Sequence, residues 1–385
     1  MNLGHCHPGV TKAAQEQCAK ITHAQVNIGL SKPQIDLIRS LLTVMPFKEL
    51  DTFFLSNTGS EAAEGAIKIA RTVTKRQHII VVQGSYHGRT AGAAALTRSK
   101  TQYSQGTGPQ MPGVYTTDFP YYSQLCLPAS TPTEEMVDYS LKRLRMLLKQ
   151  ETAPSDTAAI FVETVLGEGG YVPAPPSFLK GVREICDEHN ILFVADEIQS
   201  GFGRTGTMFA IEESGVVPDL MLIAKGISNG YPLSAVVGKK EYMSKPPPGS
   251  LGGTYAGNAV ACAAGQAVVK AFTEEKILEN VAARSKQLLD GLHAIQSKPH
   301  GKLIEDIRGR GLMIGIQFKS PSEKQPVNAL VAKASLKRHM LLLTTSIFDV
   351  VRTIPTLTIS ESELADAIKI LDESIEEAAK ELGAL

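Results

Sequence analysis

The chain has 385 residues, which is long enough for one large and one smaller domain with a sizeable hydrophobic core. Its 39 basic and 39 acidic residues cancel and form no cluster of one sign, which argues against nucleic acid or an anionic membrane as a partner. No apolar run reaches the length of a membrane span. The five cysteines lack the spacing of metal ligands and predict reduced thiols, as in the cytoplasm.

Short apolar segments alternate with amphipathic helical patterns in the first two thirds of the chain, which is typical of an α/β fold. The predicted strands are 52–55, 78–82, 158–162, 191–195, 220–224 and 233–237, and the helices predicted between them are 61–73, 134–149 and 177–189. The segment 102–133 is rich in Gly, Pro, Tyr and Ser and is predicted to be one long loop.

The pattern changes after residue 253. The predicted elements are long helices at 257–272 and 277–295, strands at 311–318 and 350–354, and a last helix from 360 to 381. Ser360 and Glu363 fit a capping box at the start of that helix. We predict a large domain over 1–274, with 1–30 as an N-terminal remnant, and a small domain over 275–385.

Two charged residues stand at the ends of predicted strands. Asp196 follows the apolar run 191–195, and Lys225 follows the run 220–224. A charge at a strand's carboxyl end lies in the crevice where α/β sheets bind ligands. A carboxylate beside an amine suits pyridoxal phosphate (PLP), because a lysine binds its aldehyde carbon and a carboxylate keeps its ring nitrogen protonated. A buried ion pair between the two side chains is the structural alternative.

Three loops offer further contacts for such a ligand. The segment 56–61 leads into a helix, where Ser60 and the backbone amides suit a phosphate group; an ordinary helix cap is the alternative. Tyr86, between two glycines, suits either stacking on a heterocycle or a place in the core. The segment 252–258 is a second loop of small residues before a helix and again suits a phosphate oxygen.

Two carboxylates and an arginine complete the candidate chemistry. Glu163 and Glu168 close a further predicted strand, and such a pair also suits a glycosidase, although the chain has no tryptophan for a sugar platform. Arg352 lies in an apolar, strand-like segment and needs either a substrate carboxylate or an internal glutamate as partner. The glycine-rich segment 201–206 is only a weak match to the dinucleotide-binding pattern, because the charged residues of 196–199 stand just before it, where a pyrophosphate would have to approach.

Taken together, these motifs resemble those of the class III (ω-) aminotransferases. The resemblance rests on the segments 56–61, 86–90, 195–199, 201–206, 218–219, 224–226 and 252–254 and on Arg352, which follow in the family's order over nearly the whole chain. It implies the fold of type I PLP-dependent transferases, with a large domain around a mostly parallel seven-stranded sheet and a smaller α+β C-terminal domain.

The resemblance also implies roles for individual residues. Lys225 is expected to bind the cofactor and to move a proton as the catalytic base, with Asp196 at the ring nitrogen and Gln199 at the phenolic oxygen. The implied cofactor-binding set is Gly59, Ser60, Tyr86, His87, Asp196, Gln199, Lys225 and Thr254, and no metal is expected. Thr254 is expected to reach the phosphate from a partner subunit, so the enzyme should be a homodimer or a tetramer.

Glu168 and Arg352 are the implied substrate-binding residues. In family members that act on 4-aminobutyrate or ornithine, the arginine binds the α-carboxylate of the oxo acid, and the glutamate pairs with it when an ω-amine is bound. We therefore favour 4-aminobutyrate as donor and 2-oxoglutarate as acceptor. The alternatives are ornithine, acetylornithine, alanine-glyoxylate, β-alanine or taurine aminotransferases, and a decarboxylase, aminomutase or phospholyase of the same fold. A non-catalytic binding protein is a remote alternative, because the sequence retains both Lys225 and Asp196.

The chain departs from the family pattern in two places. The family usually has some tens of residues before the segment 4–8, and these supply a strand and a loop of the substrate pocket; we expect a more open site and slower turnover without them. A mitochondrial location is the alternative if such residues include a leader. The family more often has proline and glutamine at the positions of Thr164 and Leu166, so the pocket wall beside the cofactor ring is expected to differ.

Overall fold

The computed structural model describes residues 1–26, 28–320 and 325–384. Its strands are β1 (Thr52–Ser56), β2 (His78–Val82), β3 (Val114–Thr117), β4 (Thr157–Glu163), β5 (Val165–Leu166), β6 (Val172–Pro173), β7 (Leu192–Asp196), β8 (Leu220–Ile223), β9 (Ser234–Gly238), β10 (Ile304–Arg310), β11 (Met313–Phe318), β12 (Leu343–Thr344) and β13 (Val350–Thr353). Its helices are α1 (Pro8–Cys18), α2 (Lys32–Leu42), α3 (Gly59–Thr74), α4 (Ala91–Leu96), α5 (Thr133–Gln150), α6 (Pro176–His189), α7 (Lys240–Met243), α8 (Ala259–Glu274), α9 (Ile277–Gln296), α10 (Val327–Lys337) and α11 (Glu361–Glu381).

A seven-stranded sheet with the order β1-β9-β8-β7-β4-β2-β3 forms the centre of the larger part of the chain. The pairs from β8 to β3 are parallel, and β9 pairs antiparallel with both β8 and β1. Both faces are buried, which explains the continuous apolar runs. Ile80 and Val82 enter the core on one face, whereas Ile79 and Val81 enter the core that α3 covers on the other.

A four-stranded antiparallel sheet with the order β10-β11-β13-β12 forms the smaller part. It packs against α9, α10 and α11, whose buried residues include Leu288, Val331 and Ile375. The capping box predicted at Ser360 is present, since the Ser360 hydroxyl accepts from the amide of Glu363. We propose the division of the chain between residues 274 and 275, where α8 has ended and α9 is about to begin.

Arg204 ties the two sheets together. Its guanidinium is buried and donates to the carbonyl oxygens of Leu312 and Pro355, at 3.3 and 2.5 Å, and to Oδ1 of Asn2 at 3.2 Å. Gly203 and Gly206 on either side of it adopt positive φ angles of 78° and 96°, which glycine reaches without strain. The glycine-rich segment 201–206 is therefore a structural turn that holds the N-terminal segment and the backbone at Leu312 and Pro355 in place.

The structure differs from the sequence-based prediction at the edges of both sheets. The segment 102–133 is not one loop, because it contains β3, which pairs with β2. The strand β10 was not predicted at all, and neither were α1, α2 and α10. Within the ranges that the structure describes, no helix has the length and apolar character needed to cross a membrane.

Candidate active site

A cavity of about 330 Å³ opens at the carboxyl ends of β4, β7 and β8. Eight residues of the predicted site line it, namely Gly59, Ser60, Tyr86, His87, Glu168, Asp196, Gln199 and Lys225. They come from five separate segments, so the topology of the sheet is what brings them together. Elsewhere too, the described residues contain no cluster of His, Cys, Asp and Glu arranged to hold a metal ion.

Asp196 is the last residue of β7 and is buried at the floor of the cavity. Its Oδ2 lies 2.7 Å from Nδ1 of His87, and its Oδ1 accepts from the amide of Ile198 at 2.9 Å. The His87 ring packs edge-on against Phe161, and its Nε2 has no hydrogen-bond partner among the described residues. A carboxylate fixed in this way can accept a further hydrogen bond from a protonated ring nitrogen.

Lys225 begins a short 3-10 turn that is separated from β8 only by Ala224, and its side chain lines the cavity. Its φ angle is 45°, in the left-handed region that non-glycine residues seldom adopt. Burial lowers the pKa of Lys225, although Asp196, Glu163 and Glu168 oppose this effect. No ion pair joins Lys225 to Asp196 in the described chain, where the aspartate pairs with His87 instead. A lowered pKa makes the neutral, nucleophilic amine more abundant.

The start of α3 forms an anion-binding corner. Thr58 caps the helix by accepting from the amide of Glu61, and the Glu61 carboxylate returns the bond in a capping box. The amides of Gly59 and Ser60 have no acceptor within the helix and point outward. The Ser60 hydroxyl accepts from the amide of Arg89 at 3.3 Å, so its own hydrogen can be donated to a ligand. A side chain on Gly88 would reach within 2.3 Å of that hydroxyl, which explains the glycine.

Tyr86 and Gln199 stand on the walls of the cavity. The Tyr86 ring meets Tyr103 edge-on at 5.0 Å, and its hydroxyl accepts from Nε of Arg89 at 3.1 Å. Oε1 of Gln199 is buried and unbonded in the part of the chain that is described, so this amide is available to a ligand. Thr164, one of the two residues that differ from the family pattern beside the cofactor ring, is buried and its hydroxyl bonds to that of Ser200 at 2.9 Å.

Two buried glutamates support these walls, and neither was recognised in this role from the sequence. Glu163 accepts from the amides of Tyr86 at 2.6 Å and Gly167 at 3.0 Å, and Glu197 accepts from the amide of Ile211 at 2.7 Å and the hydroxyl of Ser200 at 2.6 Å. Burial raises the pKa of each carboxyl to about 7. Their positions directly beside strand ends were the only signal for this role.

Glu168, in the loop between β5 and β6, meets Arg352 of β13 at the mouth of the cavity and so links this loop to the four-stranded sheet. Nη1 of Arg352 donates to Oε1 of Glu168 at 2.9 Å and to the carbonyl oxygen of Gly167 at 3.0 Å, while Nη2 donates to the carbonyl oxygen of Thr344 at 3.2 Å. Partial burial opposes ionisation of Glu168, but Arg352, Tyr103 and Lys100 outweigh it and lower its pKa. This pair leaves Glu168 unavailable as one half of a glycosidase pair.

Two predicted site residues do not line the cavity: Arg352, which is connected to it through Glu168, and Thr254. Thr254 lies exposed in the loop before α8. The preceding residues Gly252 and Gly253 line a smaller hollow with Asn57 and Glu61 at the back of the anion-binding corner.

The residues around the cavity fit PLP. The free amides at the start of α3 suit its phosphate, the fixed carboxylate of Asp196 suits its ring nitrogen, and the uncommitted amide of Gln199 suits its phenolic oxygen. The amine of Lys225 suits its aldehyde carbon.

Comparison with known proteins agrees with this fit. The family described as aminotransferase class-III matches residues 1–375. The chain is 40% identical over 383 residues to the 5-aminovalerate aminotransferase DavT of Pseudomonas putida, covering 98% of this chain and 88% of that protein. It is 39% identical over 384 residues to the 4-aminobutyrate aminotransferase GabT of Escherichia coli, covering 98% and 87%.

Solved structures give the same result. The ornithine aminotransferase of Toxoplasma gondii, whose structure shows partial occupancy of PLP at its active site, superposes with a TM-score of 0.85 at 29% identity, covering 99% of this chain and 84% of that one. Sheet order, lysine position and cavity thus define a fold type I PLP-dependent transferase. Within that class, the chain belongs to the class III aminotransferase family. The predicted fold, enzyme class and cofactor are confirmed.

Proposed function

We propose that the enzyme moves an amino group from an ω-amino acid, with 4-aminobutyrate as the favoured donor, to 2-oxoglutarate in two alternating half-reactions. The observation that carries this proposal is the contact of 2.9 Å between Arg352 and Glu168 at the cavity mouth. An ω-amine has no carboxylate next to its amino group, so Arg352 keeps its internal partner while that donor is bound. A 2-oxo acid brings a carboxylate that replaces Glu168 on the guanidinium.

We propose the following roles for the residues that line the cavity. When bound, PLP supplies an electron sink that stabilises negative charge on the reacting substrate carbon. Asp196, oriented by His87, keeps a proton on the ring nitrogen of the cofactor, and Gln199 bonds its phenolic oxygen. Tyr86 covers one face of the ring, while Gly59 and Ser60 hold the phosphate.

Lys225 is the proposed proton carrier. Its amine stands in the cavity, and burial lowers its pKa, which favours the neutral amine that can take a proton from the substrate carbon and return it elsewhere. Glu163 holds the backbone of Tyr86 and Gly167 in place, so the stacking ring and the Glu168 loop keep their positions during the transfer.

A second donor, 5-aminovalerate, is favoured by the 40% identity to DavT. It differs from 4-aminobutyrate by one methylene group and places the same demands on Glu168 and Arg352. Discrimination between chains that differ by one methylene amounts to about tenfold to a few hundredfold in a fitted pocket. The two donors are therefore best compared by their kcat/KM values.

We propose that the enzyme is a homodimer in which the partner subunit's Thr254 reaches the phosphate. Thr254 is exposed in this chain and its neighbour Tyr255 is 66% exposed, while its ring lies 5.2 Å from that of His23. Ile28 and Leu30, which are 83% and 85% exposed, follow in the same segment as His23 and offer further apolar surface. Sedimentation of the PLP-loaded protein tests the dimer, and a monomer with full activity would refute it.

We propose a cytoplasmic location, which the bacterial relatives support better than a mitochondrial one. The proposed reaction itself is tested with a panel of donors (4-aminobutyrate, 5-aminovalerate, ornithine, β-alanine and taurine) against 2-oxoglutarate, with glutamate formation as the readout. Lys225→Ala is the control and should abolish both glutamate formation and the absorbance of the Schiff base between the lysine and the cofactor. If all these donors fail while α-amino acids react, the assignment of Glu168 and Arg352 is wrong.

A further inference from the structure

Glu168 has partners on both of its carboxylate oxygens. Oε1 faces Arg352 at 2.9 Å, whereas Oε2 accepts from the hydroxyl of Tyr103 at 3.0 Å and lies 3.6 Å from Nζ of Lys100. The two sets of partners come from different parts of the fold, since Arg352 lies on β13 and the other two lie in the segment after α4.

The proposed reaction requires the first of these contacts to open. When a substrate carboxylate takes Arg352, Glu168 loses its closest cation, and its side chain is only 18% exposed in the present structure. An ionised carboxylate that is mostly buried and left without a cation is strongly disfavoured. The free energy needed to separate Glu168 from Arg352 therefore lowers the affinity for the substrate carboxylate.

We propose that Lys100, assisted by Tyr103, is a specificity-determining residue that retains Glu168 when a substrate carboxylate occupies Arg352. This inference rests on the proposed use of a 2-oxo acid as acceptor. Lys100 acts through Glu168 and is a positioning residue rather than a catalytic one. The reaction itself needs no new chemical step, because only the partner of one carboxylate changes.

The position of Lys100 is held by aromatic contacts. Its Nζ lies 4.6 Å from the centroid of the Tyr103 ring, and the guanidinium of Arg89 lies 4.6 Å from the same centroid. The ring also meets Tyr86 edge-on, so it cannot swing away without disturbing the cavity wall. The Lys100 side chain is 20% exposed, and its charge is therefore only partly screened by water.

We call the state in which Glu168 contacts Arg352 closed, and the state in which a substrate carboxylate occupies Arg352 open. The loss of Lys100 should destabilise the open state more than the closed state. In the closed state Glu168 still has Arg352 at 2.9 Å, but in the open state Lys100 is the remaining cation of the set that contacts it. For the Lys100→Met holoenzyme we expect about fivefold weaker binding of 2-oxoglutarate and less than about a twofold change for 4-aminobutyrate. Lys100→Arg should restore the wild-type ratio, since the charge is kept.

Binding can be measured without turnover. 2-Oxoglutarate cannot accept an amino group from the enzyme in its pyridoxal form, so calorimetry with that form reports its affinity alone. 4-Aminobutyrate cannot donate to the pyridoxamine form, so its affinity is measured with that form. The matched control is Lys142→Met, which removes a lysine that pairs with Asp138 at 2.5 Å on the surface of α5 and should change neither affinity. Tyr103→Phe, which keeps the ring and removes the hydroxyl, should weaken 2-oxoglutarate binding by a smaller factor than Lys100→Met.

A double-mutant cycle with Glu168→Gln decides between two explanations. If Lys100 acts through Glu168, Lys100→Met in the Glu168→Gln background should no longer alter 2-oxoglutarate binding. If the fivefold loss persists there, Lys100 contacts the substrate directly and the proposal is wrong. Unchanged affinity in Lys100→Met alone would also overturn it. Failure of wild-type protein to bind 2-oxoglutarate would instead refute the proposed acceptor, and the inference with it.

Discussion

Replacement of Glu163 by glutamine should flatten the pH dependence of stability in the cofactor-free protein. The pKa of this carboxyl is about 7 against an ordinary value of 4.5, chiefly because of burial, and Asp196 adds to the increase while His87 opposes it. A folded-state pKa above the unfolded value means that the contribution of Glu163 to stability is fully present below pH 4.5. This contribution is lost as the pH rises through 7.

The size of the effect follows from the difference in pKa. Each unit corresponds to about 1.4 kcal/mol, so the wild-type protein should lose about 2–3 kcal/mol of unfolding free energy between about pH 5 and about pH 8 because of Glu163. Glu163→Gln keeps the volume and lacks this loss. Urea unfolding of both proteins at the two pH values measures the difference, with the exposed Glu184→Gln as control. A difference between wild type and Glu163→Gln that stays constant with pH would refute the reasoning.

Three further changes test other parts of the site and fold. Arg352→Gln removes the guanidinium that is expected to bind the oxo acid. The KM for 2-oxoglutarate should rise by about tenfold to a hundredfold, since a charge-assisted hydrogen bond contributes about 1.5–3 kcal/mol. An equal rise in the KM for the ω-amino donor would contradict this expectation. Ser60→Ala should weaken PLP binding by about fivefold, as one hydrogen bond to a phosphate is lost, which absorbance titration of the cofactor-free protein measures against wild type. Arg204→Met should lower the unfolding free energy by about 2–4 kcal/mol, because the buried carbonyl groups of Leu312 and Pro355 lose their donor; a midpoint of unfolding equal to wild type would show that water replaces it.

The buried strands were predictable because each of them is apolar on both faces. β7 and β8 are completely buried, and a charge marks the end of each, with Asp196 as the last residue of β7 and Lys225 just beyond β8. β10 escaped prediction because it is only partly buried and carries Arg308 and Arg310 among its charges. β3 escaped because it is a four-residue edge strand within a segment rich in glycine and proline.

The candidate site also contains some residues whose contacts could be predicted from the sequence and others whose contacts could not. Asp196 and Lys225 could be paired from the sequence, because parallel strand ends converge on one edge. The contact of Glu168 with Tyr103 and Lys100 could not be predicted, because the segment that carries them has no periodicity and reaches the cavity only through its tertiary packing. Glu163 appeared in the sequence as one of two carboxylates, and only the fold reveals that its oxygens hold the backbone of Tyr86 and Gly167.

The backbone conformation of Lys225 sets stability against function at a single residue. With φ at 45°, this position suits glycine better than any residue with a side chain, by about 1 kcal/mol. Lys225→Gly should therefore give a cofactor-free protein more stable than Lys225→Ala, although both lack the amine. A search for thermostable variants that ignores activity would favour the loss of this lysine, so any such search must keep catalysis under selection.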